Sequence, residues 1–415
     1  SEKLYAAHQL MQERREDLAK LMTSEQGKPL RAARNEVGYA ADFLLWFAEE
    51  AKRVYGQTIP SSRADQRFMV LHQPVGVCAA ITPWNYPVSM LTRKIGPALA
   101  AGCTIVLKPA SYTPLNAIIL TEVIDEAGLP PGVFNLVVGS GSVIGTALST
   151  HPDVDMVSFT GSGPVGAQVQ RDAADTVKRV GLELGGKSAN VVLDDADPTA
   201  VAMGAVFGCF INSGQTCSAL TRVLVPQSRE QEFIDAIVAE ASLCRLVDPN
   251  AEDPDIFHAM GPMVSRAQQR TVQEYIQKGI DEGAQLLLGG PEQPEDQPTG
   301  FYVKPTVFAG VTPDMTIAQE EIFGPVLSIQ TYTDDDDAVR IANSTVFGLG
   351  GAVQSADVDR AKAIARRMRT GQVDINGAAF NPLAPFGGYK QSGNTRERGV
   401  YGLEEFLETK SIQLP

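Results

Sequence analysis

The stretch DMVSFTGSGPVGAQVQ, residues 155–170, joins an apolar, strand-like run to a glycine turn and then to an amphipathic helical pattern. The same order of strand, turn and helix recurs between residues 75 and 193, for example in VGVCAAIT, CTIVLKP and PLNAIILTEVIDEAG. Continuous apolar strands that alternate with helices are typical of a parallel sheet covered on both faces. A second series of this kind, from residue 199 to 376, predicts a second α/β domain.

Two strand-like segments fall outside this alternation. Residues 49–74 and 406–415 are polar and β-prone, and each stands apart from the helical patterns. Outlying strands of this kind favour an arm that contacts another copy of the chain. A surface hairpin without a partner explains the pattern equally well.

The composition is that of a globular protein large enough for two or three domains, with 415 residues, 44% hydrophobic and 20% charged. The net charge of −14 argues against a nucleic-acid partner, because phosphate binding needs concentrated Lys and Arg. Five cysteines without a CxxC pair or zinc-site spacing predict no metal site and free thiols in a reducing compartment such as the cytoplasm. The sequence has no apolar run of about 18 residues and no basic-then-apolar leader, which predicts no membrane contact.

A glycine pattern, G-x-G-x-x-G, follows the strand of the opening stretch at Gly161, Gly163 and Gly166. Backbone N–H groups at the start of the next helix suit a pyrophosphate. The acidic residue expected about 20 positions later is not clearly present, so the pattern does not predict a standard dinucleotide turn. Lys108 and Ser111 end another predicted strand, where a ribose or phosphate can bind or where a solvated lysine simply precedes a turn.

Three residues carry functional groups suited to covalent catalysis. Cys217 lies among small and polar residues in NSGQTCSA, residues 212–219, and is either a nucleophile or a buried, inert thiol. Glu183, in LELGGKS, is either a general base or a capping or exposed glutamate. Asn85, in ITPWNYP, could donate to an oxyanion. The four histidines lie in no recognisable catalytic context, which disfavours a thiol hydrolase.

Seven stretches, taken together and in this order, resemble the aldehyde dehydrogenase superfamily: ITPWNYP, VLKPA, FTGSGPVG, LELGGKS, NSGQTC, EEIFGPV and PFGGYKQSG. The resemblance implies an α/β fold with a Rossmann-like NAD(P)-binding domain (1–55 and 75–185), a catalytic domain (186–400) and oligomerisation strands (56–74 and 405–415). It also implies a homodimer or homotetramer. Family members carry several tens of residues before the point that matches residue 1, so part of the edge of the cofactor domain is expected to precede this chain.

The resemblance assigns roles to the catalytic candidates. By similarity, Cys217 attacks the carbon of a small-molecule aldehyde, while Asn85 and the backbone N–H of Cys217 hold the oxyanion. Glu183 then activates the water that hydrolyses the thioester, and Lys94 matches a lysine that family members keep close to this site. The presence of Glu183 disfavours a CoA-acylating relative. A protein that binds the cofactor without turnover is the alternative from another class.

The resemblance also implies NADP or NAD as the cofactor. Eight residues match its contacts: Thr82, Trp84, Lys108, Ser111, Gly161, Ser162, Glu321 and Phe323. Relatives that prefer NAD often have a glutamate at the position of Ser111, and a carboxylate accepts hydrogen bonds from a ribose 2′-OH but repels a 2′-phosphate. Serine removes that repulsion and Lys108 favours the phosphate, so we expect NADP to be accepted.

The N-terminal third is similar to the succinate-semialdehyde branch, whose members hold the distal carboxylate with two arginines and a serine. Arg93 matches the first arginine, but Ile211 and Asn381 occupy the places of the second arginine and the serine. A dicarboxylic semialdehyde would then bind weakly, through Arg93 and Asn381, because the contact of the second arginine is lost. An apolar or aromatic aldehyde would contact Ile211, Tyr86 and Phe380. Both interpretations stay open. The residues expected to face the substrate are Arg93, Tyr86, Ile211, Asn381 and Phe386.

Overall fold

The computed structural model describes residues 1–252, 255 and 257–415. Its α-helices, in chain order, are α1 (Glu2–Glu13), α2 (Arg15–Gln26), α3 (Leu30–Glu50), α4 (Ser89–Ala101), α5 (Pro114–Glu126), α6 (Thr146–Thr150), α7 (Gly163–Asp172), α8 (Pro198–Phe210), α9 (Glu230–Ala241), α10 (Arg266–Asp281), α11 (Thr316–Gln319), α12 (Asp335–Ala342), α13 (Val358–Arg367) and α14 (Gly399–Glu404). Within these described ranges, none of the helices is long and apolar enough to cross a membrane.

The strands, also in chain order, are β1 (Gln57–Ile59), β2 (Arg67–Pro74), β3 (Val77–Ile81), β4 (Thr104–Lys108), β5 (Phe134–Leu136), β6 (Met156–Thr160), β7 (Arg179–Glu183), β8 (Ala189–Val192), β9 (Arg222–Pro226), β10 (Arg245–Leu246), β11 (Ala259–Met260), β12 (Gln285–Leu288), β13 (Thr306–Ala309), β14 (Val326–Tyr332), β15 (Gly351–Gln354), β16 (Asp374–Ile375) and β17 (Leu407–Leu414). Short 3-10 or π turns lie at Gly141–Gly145, Ala174–Thr176, Ile211–Gly214, Gln227–Arg229 and Lys390–Ser392.

The first sheet contains five parallel strands in the order β5-β4-β3-β6-β7. The apolar runs around the opening stretch form β3, β4 and β6, and every residue of β6 is buried. Helices α1 to α5 pack on one face through a core that includes Phe47, Leu91 and Ile105. Helix α7 packs on the other face through Val169. The alternation of apolar strands with helices therefore produces the predicted parallel sheet.

The second sheet contains seven strands in the order β12-β13-β14-β9-β8-β15-β16. Neighbouring strands from β13 to β16 in this order pair in parallel, whereas β12 at the edge runs antiparallel to β13. The chain turns directly after this edge strand at Gly289 and Gly290, which both have positive φ. One antiparallel strand is common at the edge of such a sheet. Helices α8 and α9 cover one face, and α12 and α13 cover the other.

The third sheet is a three-stranded antiparallel arm in the order β1-β2-β17. Strands β2 and β17 pair over eight residues, from Arg67 opposite Leu414 to Pro74 opposite Leu407. The three sheets together confirm the predicted fold class of two parallel-sheet α/β domains with a small β arm. The role of the arm in oligomerisation and the residue limits of the domains stay predictions.

The order of the first sheet reverses at β3, since β4 and β5 lie on one side of it and β6 and β7 on the other. Ligands of open α/β sheets bind at such a reversal, outside the carboxyl ends of the strands. Four of the site residues predicted from sequence lie at or next to those ends: Thr82, Lys108, Gly161 and Glu183. The topology therefore gathers them along one edge of the sheet.

Candidate active site

Cys217 lies in the loop that follows α8, which we call the nucleophile loop (residues 212–219). Three consecutive residues, Asn212, Ser213 and Gly214, have positive φ values of 51°, 56° and 73°, so the chain leaves the helix in a tight left-handed turn. A Cβ atom at Gly214 would lie 2.1 Å from the carbonyl oxygen of Gly324, which explains the glycine there. The turn leaves Cys217 half-buried.

The side chain of Asn85 is fixed against the nucleophile loop. Its Nδ2 donates to the carbonyl oxygen of Gln215 at 3.0 Å. Its backbone carbonyl accepts hydrogen bonds from Nζ of Lys28 at 2.9 Å and from Nδ2 of Asn212 at 3.0 Å. Lys28 in turn forms a buried ion pair with Glu36. The amide of Asn85 is therefore positioned by bonds to both its side chain and its backbone, and Nδ2 carries a second N–H.

Glu183 ends β7 and is 2% exposed. Neither of its carboxyl oxygens has a hydrogen-bond partner among the described residues. Burial, and then the negative charge of Glu397, raise its pKa well above the ordinary value for glutamate. A Cβ atom at Gly387 would lie 2.7 Å from Oε1 of Glu183, so the absence of a side chain there leaves space beside the carboxyl group. Glu183 is therefore an unpaired acid that favours its protonated form.

Glu397 is a second buried carboxylate, but unlike Glu183 it is paired with cations and favours its ionised form. Its Oε1 accepts a 2.8 Å hydrogen bond from Nζ of Lys94, which also donates to Oγ of Ser158 at 2.8 Å. Its other oxygen forms an ion pair with Arg93. Burial alone would raise the pKa of Glu397, but the charges of Arg93 and Lys94 lower it to about 2. Lys94, which the resemblance places near the site, thus contacts Ser158 and Glu397.

Arg93 does not offer the unpaired guanidinium that the sequence predicts for holding a substrate carboxylate. It is 3% exposed, and its charge is paired with Glu397. Its guanidinium carbon lies 4.7 Å from the ring centre of Phe386, which is itself 6% exposed. This pairing could not be read from the sequence around Arg93, because the partner carboxylate comes from a distant part of the chain. The contact of Arg93 with a substrate carboxylate stays a prediction.

Some neighbours of Cys217 raise the pKa of its thiol and others lower it. Burial raises the pKa of the thiol to about 12, and the positive charges of Arg93 and Arg398 oppose this shift. Negative charge on Glu183 raises the pKa of the thiol further. The thiolate is therefore favoured when Glu183 is protonated and disfavoured when it is ionised.

Lys108 and Thr82 lie at the carboxyl ends of β4 and β3. Lys108 is 4% exposed, its Nζ donates to the carbonyl oxygen of Pro109 at 2.8 Å, and burial lowers its pKa. The backbone N–H of Thr82 donates to the carbonyl oxygen of Lys108 at 3.1 Å. Ser111 is exposed, and its hydroxyl donates to the carbonyl oxygen of Gly139 at 3.4 Å. The sheet edge therefore presents an ammonium and a hydroxyl group.

Gly161 and Ser162 lead into α7, and Ser162 is exposed at the N-terminus of that helix. A Cβ atom at Gly163 would meet nothing within 4 Å, whereas one at Gly166 would lie 2.5 Å from the side chain of Leu184. The glycine at 166 is therefore required for packing of the helix on the sheet, and the glycine at 163 is not.

Trp84 and Phe323 meet edge to face, with ring centres 5.3 Å apart. Close to them in sequence, Glu321 accepts a 3.0 Å hydrogen bond from the backbone N–H of Gly186, and burial raises its pKa to about 7. A Cβ atom at Gly185 would lie 2.1 Å from Oε2 of Glu321, so the Gly-Gly pair admits this carboxyl group. Glu321 is therefore held by the LELGGKS turn that also carries Glu183.

The polar groups along this edge fit a dinucleotide. A lysine, exposed hydroxyl groups and the free N–H groups of a helix N-terminus suit phosphate oxygens, and a carboxylate such as that of Glu321 suits ribose hydroxyl groups. In the described part of the chain, no three His, Cys, Asp or Glu side chains are grouped so as to hold a metal ion.

The remaining predicted substrate residues divide into two groups. Tyr86 and Ile211 flank the nucleophile loop: the hydroxyl of Tyr86 lies 2.9 Å from Oγ1 of Thr216, which donates to the carbonyl oxygen of Ile211 at 3.4 Å. Asn381 is exposed, and its Oδ1 accepts a 2.9 Å hydrogen bond from the backbone N–H of Leu383. Its side chain is therefore occupied by its own loop.

Sequence reasoning missed four charged residues of the site. Glu397 and Arg398 lie in TRERG, residues 395–399, which resembles an ordinary solvated turn. Lys28 and Glu36 form the buried pair that supports Asn85. Glu36 could have been noticed in the sequence, because it is a charged residue on the apolar face of the helical pattern that forms α3.

Comparison with known proteins shows similarity along nearly the whole chain. The model of the Aldehyde dehydrogenase family matches residues 1–412. The chain is 45% identical over 415 residues to the 3-sulfolactaldehyde dehydrogenase of Pseudomonas putida, a match that covers 100% of this chain and 84% of that protein. It is 46% identical over 399 residues to the 3-succinoylsemialdehyde-pyridine dehydrogenase of a Pseudomonas species, covering 96% of this chain and 82% of that protein.

The fold agrees with these matches. The crystal structure of a mutant aldehyde dehydrogenase C from Pseudomonas syringae, in complex with NAD+ and octanal, superposes with a TM-score of 0.94. The two chains are 45% identical, and the superposition covers 99% of this chain and 83% of that one. The resemblance read from seven short stretches is thus confirmed. The chain belongs to the aldehyde dehydrogenase family, whose members oxidise aldehydes with NAD or NADP.

Proposed function

We propose that this chain oxidises its aldehyde with Cys217 as the nucleophile, Asn85 as an oxyanion donor and Glu183 as the base that activates water. The observation that carries the proposal is the carboxyl group of Glu183, which is buried, lacks a hydrogen-bond partner among the described residues and acts electrostatically on Cys217. A buried carboxyl group with a raised pKa beside a thiol is suited to acid–base chemistry rather than to stabilising the fold.

In the first half of the reaction, Cys217 attacks the aldehyde carbon and forms a thiohemiacetal. The thiol first gives its proton to solvent water, because the thiolate is the nucleophile, and the positive charge of Arg93 favours that loss. The oxyanion accepts hydrogen bonds from Nδ2 of Asn85 and from the backbone N–H of Cys217, which stabilise the charge as it develops. When bound, NAD or NADP accepts the hydride from the thiohemiacetal carbon, and a thioester on Cys217 remains.

In the second half, Glu183 takes a proton from water, and the hydroxide that results attacks the thioester carbon. The bond between the thioester carbon and the sulfur breaks, the carboxylic acid leaves, and the Cys217 thiolate takes the proton that Glu183 holds, so both groups return to their starting states. A raised pKa makes the ionised form of Glu183 a stronger base than an exposed glutamate would be.

For the cofactor, we propose that NADP is accepted. Ser111 places a hydroxyl group rather than a carboxylate at the sheet edge, so a 2′-phosphate meets no like charge there. Nζ of Lys108 lies 4.0 Å from the point where a Cβ atom of Gly141 would stand, so the ammonium lies beside the turn that contains this glycine. A Ser111→Glu variant that left the use of NADP unchanged would count against this proposal.

The proposed substrate is succinate semialdehyde or a related semialdehyde with a distal anionic group. Support comes from two cations, Arg93 and Arg398, that act on Cys217 alongside the acids Glu183 and Glu321. Relatives named for 3-sulfolactaldehyde and for a succinoyl semialdehyde also support it. The second candidate is an apolar or aromatic aldehyde. Ile211 beside the nucleophile loop and Phe380, which is 56% exposed, favour it.

Initial rates with succinate semialdehyde and with benzaldehyde, each with NAD+ and NADP+, test these proposals. We expect turnover by the wild type and none by Cys217→Ala. Cys244→Ala is the matched control, because Cys244 is a half-buried thiol outside the site. A faster rate with benzaldehyde would favour the apolar candidate. Cofactor binding without turnover of any aldehyde would overturn the enzymatic proposal.

We also propose a homodimer or homotetramer assembled through the three-stranded arm. Each of its strands exposes an apolar side chain: Ile59 is 48%, Met69 36% and Leu414 39% exposed. Open strand edges with such residues favour pairing with another chain. All five cysteines are free thiols, which supports a reducing compartment such as the cytoplasm.

A further inference from the structure

Arg398 has a backbone conformation that side chains rarely adopt. It lies immediately before α14 with φ 71° and ψ 159°, a region populated almost only by glycine. Reciprocal backbone hydrogen bonds of 2.8 and 2.7 Å between Phe386 and Glu397 fix the preceding residue. Strained residues of this kind persist where the surrounding structure holds them, and they are concentrated at ligand sites.

The guanidinium of Arg398 is enclosed by aromatic rings, and no carboxylate of the described residues forms an ion pair with it. Its carbon lies 4.5 Å from the ring centre of Phe386, 4.7 Å from that of Phe380 and 6.0 Å from that of Phe43. Its Nε is buried without an acceptor among the described residues. An arginine held flat against rings keeps its donors in a fixed plane that matches a carboxylate.

The neighbouring charges do not neutralise Arg398. Arg93 and Lys94 share the carboxylate of Glu397, and the other acid that acts electrostatically on Arg398, Asp374, has its pKa raised by burial. Burial, and then the charge of Arg93, lower the pKa of Arg398 to about 9. This cluster therefore has an excess of positive charge that an anionic ligand would relieve.

Arg398 also lies within electrostatic reach of the reacting group. Its positive charge opposes the raised pKa of Cys217 and that of Tyr86, whose hydroxyl contacts Thr216 next to Cys217. The guanidinium of Arg398 and the thiol of Cys217 therefore act on each other electrostatically.

We propose that Arg398 is the specificity-determining residue that binds the distal anionic group, a carboxylate or a sulfonate, of the aldehyde oxidised at Cys217. This inference rests on the proposed function and deepens it by naming the anchor. Arg398 takes the role that sequence comparison assigned to Arg93, whose charge is already paired. The rings of Phe380 and Phe386 fix the guanidinium and border the path of the aldehyde chain.

The test compares succinate semialdehyde with butanal, a neutral aldehyde of the same length, in one preparation of each variant. For Arg398→Gln and Arg398→Gly, we expect the ratio of kcat/KM for the anionic over the neutral aldehyde to fall about 10- to 100-fold, as for the loss of charge-assisted hydrogen bonds. Partial loss of folded protein cancels from this ratio, so a purely structural role would not change it. An unchanged ratio in both variants would overturn the proposal.

The matched control is Arg266→Gln. Arg266 is exposed and also stacks on an aromatic ring, with its guanidinium carbon 5.2 Å from the ring centre of Phe301. Its replacement changes the net charge equally, and we expect the ratio to stay at the wild-type value. A fall as large as that of Arg398→Gln would mean that long-range charge, and not Arg398, sets the selectivity.

Binding of succinate separates this proposal from the proposed function. Calorimetry on Cys217→Ala should detect succinate, and the double variant with Arg398→Gln should bind it about 10- to 100-fold more weakly. That result would support Arg398 even if no aldehyde were oxidised. Oxidation of butanal without preference for the anionic aldehyde, and without succinate binding, would overturn the proposal and leave the dehydrogenase function intact. Parallel rates with 3-sulfopropanal distinguish sulfonate from carboxylate.

Discussion

The end of β7 and the turn before α14 each contribute a buried glutamate, and the two are held in opposite states. Glu183 has no partner among the described residues and a raised pKa. Glu397 accepts a hydrogen bond from Lys94, pairs with Arg93 and has its pKa lowered to about 2. Burial alone raises the pKa of both groups, so the partners cause the difference. A buried acid is available for proton transfer only where no neighbouring group forms a hydrogen bond or an ion pair with it.

Removing the unpaired acid should have the largest effect. We expect Glu183→Gln to lower the steady-state rate about 10²- to 10⁴-fold, because glutamine cannot take a proton from water. Formation of the thioester does not need that proton transfer, so a burst of about one reduced cofactor per active site should remain. Rapid-mixing absorbance measures the burst. Loss of the burst together with turnover would mean that Glu183 also acts before hydride transfer.

Removing the paired acid should act on stability instead. We expect Glu397→Gln to lower the free energy of unfolding by about 3–5 kcal/mol, because Arg93 and Lys94 are then buried without a counter-ion. Urea denaturation measures the loss, with the exposed Glu404→Gln as the matched control. A loss no greater than that of the control would contradict the view that this carboxylate is structural.

The smallest expected effect is that the two acids change the stability of the protein in opposite directions as the pH changes. Glu183 has its pKa raised above 4.5 on folding, so its contribution to stability is lost as the pH rises through the folded pKa. The melting temperature of Glu183→Gln should therefore rise relative to that of the wild type as the pH increases above 4.5. Glu397 has its pKa lowered from 4.5 to about 2, so its stabilisation is lost as the pH falls across that interval.

Each acid should change the free energy of unfolding by at most about 1.4 kcal/mol per pH unit. Thermal unfolding of the wild type and both variants across this range measures it. Slopes of the same sign for the two acids would show that partners do not set their ionisation.

The residues that could be predicted from sequence lie in contiguous stretches. Cys217, Glu183 and Asn85 are each surrounded by turn and strand residues that carry their own signal, and apolar alternation predicts both parallel sheets. Arg398 could not be recognised, because a run of charged residues resembles a solvated turn whether or not rings enclose it. The reversed edge strand β12 was missed for a similar reason, since strand direction depends on pairing rather than on local pattern.

The hydrogen bond between Lys94 and Glu397 joins positions 303 residues apart. A ribosome makes the chain from its N-terminus, so Lys94 and Arg93 emerge long before their carboxylate. Two cations without a counter-ion oppose close packing of α4 until the turn before α14 arrives. A nascent chain therefore carries the thiol of Cys217 for some time before the buried surroundings that raise its pKa exist.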